Sequence, residues 1–178
     1  MKKYFFWILF LLVAFNISAQ KFVLENSVIT FFSEATIENI TAENKKTGSM
    51  LNAQTGDIAF SVPTREFQFE KKLMQEHFNE KYLESEKFPK STFAGKMVGF
   101  SNTVKGIQQV KASGKLTIHG VTTSMEISGT AEVQSDKIIL KSKFIVKLAD
   151  YNIKIPQLMW QNIAEQVEVT VDFTYKPQ

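Results

Sequence analysis

The chain has 178 residues, 44% of them hydrophobic and 22% charged, with no cysteine and a formal charge of +3. That length suits one domain with a sizeable core, and the missing cysteines exclude disulfide staples, so stability has to come from packing. No run of Lys and Arg is long enough to form a nucleic-acid footprint; Lys45-Lys46 and Lys71-Lys72 read as solvated surface.

Lys2 and Lys3, the apolar run Tyr4 to Phe15, and Ile17-Ser18-Ala19 before Gln20 read as a cleavable signal peptide over residues 1–19. The run is twelve residues long, short of the roughly 20 that span a bilayer, so no integral membrane span is expected after cleavage. No Cys follows it, which excludes a lipoprotein anchor. The expected location is the periplasm, with secretion as the alternative. Without Lys2 and Lys3 the 21 basic residues fall to 19 against 18 acidic ones, a formal charge of +1. The remainder, 20–178, shows no repeat or linker that would divide it.

Phe22 to Phe32 reads as the first strand, with Ile29 and Phe31 on one face and Val28, Thr30 and Phe32 on the other. Ile37 to Glu43 is a weaker strand, followed by a turn at Lys45 to Gly48 and a short strand around Met50 to Asn52. Asp57 to Val62 alternates cleanly and stops at Pro63, which cannot donate to a ladder. The convincing helical stretch is Glu70 to Leu83, where Met74, Phe78 and Tyr82 share one face. Lys87-Phe88-Pro89 returns the chain to extended form, and Ser91 to Gly99 is again a strand.

From Val110 onward the alternation is sustained. Val110, Ala112, Gly114, Leu116 and Ile118 face one way. So do Met125, Ile127, Gly129, Ala131 and Val133, then Ile138, Leu140, Phe144, Val146 and Leu148. After a connector through Asp150, Pro156 and Trp160, Val167, Val169, Val171, Phe173 and Tyr175 repeat the pattern. Long apolar faces without covering helices have to cover one another. The expected fold is all-β, an antiparallel eight-stranded lipocalin-like barrel with one short helical insert.

Eight strands enclose a space that is either filled by side chains or holds one small ligand. A turn centred at Gly120-Val121 puts Ala112 opposite Gly129, and one at Ser135-Asp136 puts Gly129 opposite Ser142. Those three small residues would form a row across neighbouring strands, and close-packed interiors do not leave such a gap empty. Phe93 could lean across it, or an apolar ligand could lie there with Phe60, Phe67, Phe69 and Phe144 lining the wider part. The candidate ligand-lining set is Phe31, Phe60, Phe67, Phe69, Met74, Phe78, Phe93, Ala112, Leu116, Ile127, Gly129, Ser142 and Phe144. On this reading Gly129→Phe removes lipid binding and leaves the fold intact. A chain of about fifteen carbons gains roughly 12 kcal/mol on burial before ordering costs, so polar contacts need only orient it.

Catalytic constellations are scarce. There are two histidines, and with no cysteine no cluster has zinc-ligand spacing. His119, on the polar face by parity, reads as a turn residue bonding to backbone, and His77 as a surface or cap residue on the helix. Asp150-Tyr151-Asn152 reads as a turn, and Trp160 as core or as a plug at one barrel end. No catalytic residue, metal or cofactor is expected.

Several phrases carry a resemblance. They are Ser27-Val28-Ile29-Thr30-Phe31, Leu73-Met74-Gln75-Glu76-His77-Phe78-Asn79-Glu80 with Glu84-Ser85-Glu86-Lys87-Phe88-Pro89, Gly114 to Thr122, and Asp150-Tyr151-Asn152-Ile153. Together they resemble the YceI-like lipid/polyisoprenoid-binding family across 20–178. The resemblance implies a lipocalin-like barrel enclosing long isoprenoid or other amphiphilic chains in an exported, non-enzymatic protein. Family members often carry a histidine after the first strand, where this chain has Glu34-Ala35-Thr36, and an arginine where it has Lys71-Lys72. The resemblance therefore leaves the head group open and does not by itself imply a polyprenyl diphosphate. The expected function is a periplasmic carrier for an isoprenoid, quinone or fatty acyl chain, entering near the Glu70–Leu83 helix. The rival is a filled-barrel accessory module of a cell-envelope complex. An exposed edge or the Phe32 face could support a homodimer.

Overall fold

The computed structural model describes residues 22–34, 38–155 and 164–178. The expected signal peptide (residues 1–19), Ile37, Pro156 and Trp160 lie outside the described residues. Ten strands appear in chain order: β1 (Phe22–Ser33), β2 (Ile40–Asn44), β3 (Gly48–Leu51), β4 (Asp57–Pro63), β5 (Gln68–Phe69), β6 (Lys90–Val98), β7 (Gly106–Ile118), β8 (Val121–Val133), β9 (Ile138–Lys147) and β10 (Gln166–Pro177). β2 and β3 pair in succession with one edge of β1 and act as one interrupted strand. β10 pairs with the other edge, from Phe22↔Pro177 to Phe32↔Glu168. The result is a closed antiparallel barrel of eight staves, with β5 appended to β2. Closure leaves none of these long apolar faces with an open edge.

The inward positions are those the alternation predicts. Ile29, Ile58, Phe93, Leu116, Ile127, Leu140, Val146, Val171 and Phe173 are buried, and lysines and glutamates take the outward places. A bulge at Glu25 in β1 restores Phe22 and Leu24 to the packed face. The break between β2 and β3 is built by Asn44, which is fully buried. Its Nδ2 donates to the Pro63 carbonyl at 2.8 Å, and its Oδ1 accepts from the Lys46 N–H at 2.8 Å.

The half of the barrel around the start of β1 and the end of β10 is filled by side chains. Phe93 stacks on Phe60 at 5.2 Å, Phe60 meets Phe173 edge-on at 5.5 Å, and Phe173 meets Tyr175 at 6.2 Å. Phe93 fits because Gly95 and Gly114 pair beneath it; a Cβ on Gly114 would lie 2.8 Å from its Cζ. The buried Tyr175 hydroxyl bonds the Ser49 hydroxyl at 2.6 Å, and burial pushes its pKa well above the ordinary value.

Two expectations are corrected here. The β7–β8 turn consists of His119 and Gly120, both with positive φ (51° and 74°), and Ile118 pairs with Val121. Positive φ at both central residues is the type I′ hairpin geometry, whose twist matches that of the flanking strands. The turn centre therefore lies one residue earlier than predicted, which shifts the pairing by two. Ala112 faces Ile127, and Gly129 faces Val110. A slip of two keeps every side chain on its face, so the inward set survives. The β8–β9 register is as expected, with Gly129 opposite Ser142. The helix is shorter than predicted: α1 covers Lys72–His77, then Phe78–Tyr82 forms a π turn closed by Leu83 N–H to the Phe78 carbonyl at 2.8 Å. No helix among the described residues is long and apolar enough to cross a membrane.

Candidate ligand-binding cavity

In the other half of the barrel, toward the β4–β6 connection, side chains stop short of the axis and leave a cavity of about 460 Å³. Phe60 and Phe144 separate it from the filled half. Its walls are Ile29 and Phe31 from β1, Leu116 and Ile118 from β7, Val146 from β9, and Val167, Val169 and Val171 from β10. The lid is the β4–β6 connection, which contributes Phe67, Phe69, Met74, Phe78, Tyr82 and Leu83. The volume lies in the ordinary range for small-molecule sites, about 300–1,000 Å³, and the lining is predominantly aliphatic and aromatic.

Phe31 ties the lid to the wall. Its ring stacks on Phe78 at 5.5 Å with planes 18° apart, and meets Phe67 at 5.4 Å and Phe69 at 5.6 Å. The two ends of the insert are joined where Thr64 donates its N–H to the Pro89 carbonyl (2.9 Å) and its hydroxyl to the Phe88 carbonyl (3.1 Å). Ser85, also buried, donates to Asn79 Oδ1 at 2.7 Å. A polar clasp completes the attachment. His119 Nε2 meets Glu84 Oε2 at 2.7 Å, and its Nδ1 lies 3.1 Å from the Tyr151 carbonyl oxygen. The imidazole also packs edge-on against Phe88 at 4.5 Å, and the buried Tyr151 places its hydroxyl 2.6 Å from that of Thr123. The β7–β8 turn, the insert and the β9–β10 connector thus meet at one histidine.

Polar lining is sparse. Glu38 and Lys71 form an ion pair and are both roughly half exposed. His77 on α1 is half-buried and also lines the cavity, and the hydroxyl residues are Ser33, Ser91 and Tyr82. Burial raises the Tyr82 phenol above its ordinary pKa. Among the described residues no group of three His, Asp or Glu is arranged to hold a metal.

A YceI-like domain model matches residues 18–175. The chain belongs to the YceI-like family. The same fold is found in a polyisoprenoid binding domain from Saccharophagus degradans implicated in plant cell wall breakdown, at TM-score 0.76 and 15% identity over 89% of this chain and 99% of that one. BcnA of Burkholderia cenocepacia matches at TM-score 0.72 and 15% identity, over 83% and 95% of the two chains. The YCEI protein of Campylobacter jejuni matches at TM-score 0.66 and 14% identity, over 82% and 88%. At such identities the likeness is one of fold. No curated protein matches the chain.

Within this YceI-like barrel the sequence-nominated residues divide between two places. Phe31, Phe60, Phe67, Phe69, Met74, Phe78, Leu116 and Phe144 line the large cavity. Phe93, Ala112, Ile127, Gly129 and Ser142 lie in the filled half, around a residual void of about 50 Å³. Of the two fillers expected for the row of small residues, the structure has the side chain: Phe93, with Phe173, occupies that half and leaves only the small void. At Gly129 a Cβ would fall 2.4 Å from the Lys141 carbonyl oxygen and 2.9 Å from Ser142 Cβ. Gly129→Phe would disrupt the β8–β9 pairing, so the expectation that it spares the fold does not hold.

His77 is not a plain surface residue, because the helical face it shares with Met74 and Phe78 turns toward the cavity. His119 is not on an outward strand face: its positive φ takes it out of the strand's alternation, and its side chain is only 11% exposed. The valines of β10 and Ile118 had a sequence signal, the period-two alternation, though not one that distinguished the hollow half from the filled one. Glu38, Lys71 and His77 had none, since only the folded insert brings them to the cavity.

Proposed function

We propose that this protein is an exported, non-enzymatic binding or carrier protein that encloses a long apolar chain, an isoprenoid, quinone or fatty acyl compound, in the lid half of its barrel. The observation that carries the reading is the 460 Å³ space walled by valine, isoleucine, leucine and phenylalanine in a closed barrel. Each methylene moved into such a space contributes about 0.8 kcal/mol, so a chain of ten carbons gains roughly 8 kcal/mol before ordering costs. The insert supports entry at the lid, since strand pairing holds it only at Gln68–Phe69, and the rest is held by the Phe31 aromatic cluster, the Glu38–Lys71 ion pair and the His119 clasp. Membership of the YceI-like family, and the polyisoprenoid binding named for the Saccharophagus degradans domain, point to the same ligand class. An N-terminal signal peptide over residues 1–19 would direct the protein to the periplasm.

Gentle purification followed by native mass spectrometry and organic extraction tests this reading. A stoichiometric lipid is the expected result, and a barrel that stays empty after expression in its own envelope would overturn it. The filled half favours a second reading, a ligand-free accessory module of an envelope complex. A stable protein partner recovered without bound lipid would select it.

A further inference from the structure

We infer that the enclosed chain carries an uncharged polar head, such as a hydroxyl, amide, ester or quinone carbonyl, rather than a phosphate or diphosphate. The inference rests on the apolar-chain reading above and concerns the same cavity. Among the described residues the charged side chains that line it are Glu38 and Lys71, and they are paired with each other. The remaining polar lining consists of His77 and the hydroxyls of Ser33, Ser91 and Tyr82.

A phosphate carries about −1.5 to −2 charges at neutral pH and needs charge-assisted donors once it leaves water. The ammonium available at this rim already has a carboxylate partner. Taking it over would leave Glu38 unpaired next to the phosphate oxygens. A neutral head asks for one or two ordinary hydrogen bonds, and hydroxyls, an imidazole and the ion pair can each supply one. A charged head held back in solvent also draws its first carbons out of the apolar walls. Two methylenes left unburied cost about tenfold in affinity.

The test compares farnesol with farnesyl diphosphate, which share one tail, by displacement of diphenylhexatriene from the purified protein at low salt. Farnesol binding about tenfold tighter is the expected result. In Glu38→Gln, which frees Lys71 without touching the barrel core, the ratio between the two ligands should shift several-fold toward the diphosphate. Equal or tighter diphosphate binding by the native protein, or an unchanged ratio in Glu38→Gln, overturns the head-group inference and leaves the apolar-chain reading standing. Failure of both compounds to displace the probe overturns both.

Discussion

Replacing Phe31 with alanine tests whether the lid is held as the geometry implies. The ring sits at the centre of three aromatic contacts, with Phe67, Phe69 and Phe78 at 5.4–5.6 Å, all on the insert. Such pairs contribute about 0.5–1.5 kcal/mol each beyond buried area; three sharing one ring give roughly 2 kcal/mol. Removing a half-buried ring from apolar surroundings adds about 1 kcal/mol. The sum, about 3 kcal/mol, falls at the low edge of the range of roughly 3–5 kcal/mol for buried Phe→Ala, as expected for a side chain already bordering a cavity. Urea unfolding should show the midpoint lowered by about 1–1.5 M at unchanged slope. Because the lost contacts all lead to the insert, limited proteolysis within residues 64–89 should accelerate more than global unfolding requires. A double-mutant cycle with Phe78→Ala should return a coupling of about 1 kcal/mol. A loss below about 1 kcal/mol together with zero coupling would refute the reasoning, since the insert would then be anchored elsewhere.

His119→Ala removes the contacts to Glu84 and to the Tyr151 carbonyl, and should cost about 2–3 kcal/mol, with the half-exposed Glu84 contributing the smaller part; an unchanged unfolding midpoint would show the clasp to be idle. Val169→Trp projects a large ring into the cavity, so extracted lipid should drop several-fold while the unfolding midpoint holds or rises; native lipid content in this variant would mean that the ligand sits elsewhere. Tyr175 titrates higher in the folded state than in the unfolded one because of burial, so above pH 10 the unfolded chain loses a proton that the folded chain keeps. Its contribution is complete below pH 10 and declines as pH rises beyond it, and Tyr175→Phe should flatten that decline in alkaline unfolding curves while giving up the hydroxyl bond to Ser49.

The strands were legible because a side-chain period of two, sustained over β7 to β10, has one structural meaning, and because closure is the way for such faces to cover one another. The β8–β9 register followed from its turn residues. The β7–β8 register did not, because a histidine took the left-handed position at the hairpin and moved the turn centre by one residue. The helical face of Met74, Phe78 and Tyr82 was correctly oriented, although the helix breaks into a π turn at Phe78, where the i→i−5 bond from the Leu83 N–H to the Phe78 carbonyl replaces the α-helical pattern. The site was half legible. Phe31, Phe60, Phe67, Phe69, Phe78 and Phe144 fell on the cavity, whereas the row of small residues lies in the half that Phe93 fills, the side-chain alternative the sequence had left open beside a ligand.

Local patterning alone determined which side of each strand is greasy and that the insert is amphipathic. Which part of the barrel is hollow was decided by tertiary contacts. Gly95 pairs with Gly114, so Phe93 lies flat across one half, while valines on β10 and a lid held at Phe31 keep the other half open. Empty volume is set by which side chains meet across the barrel axis, and those meetings join residues far apart in the chain.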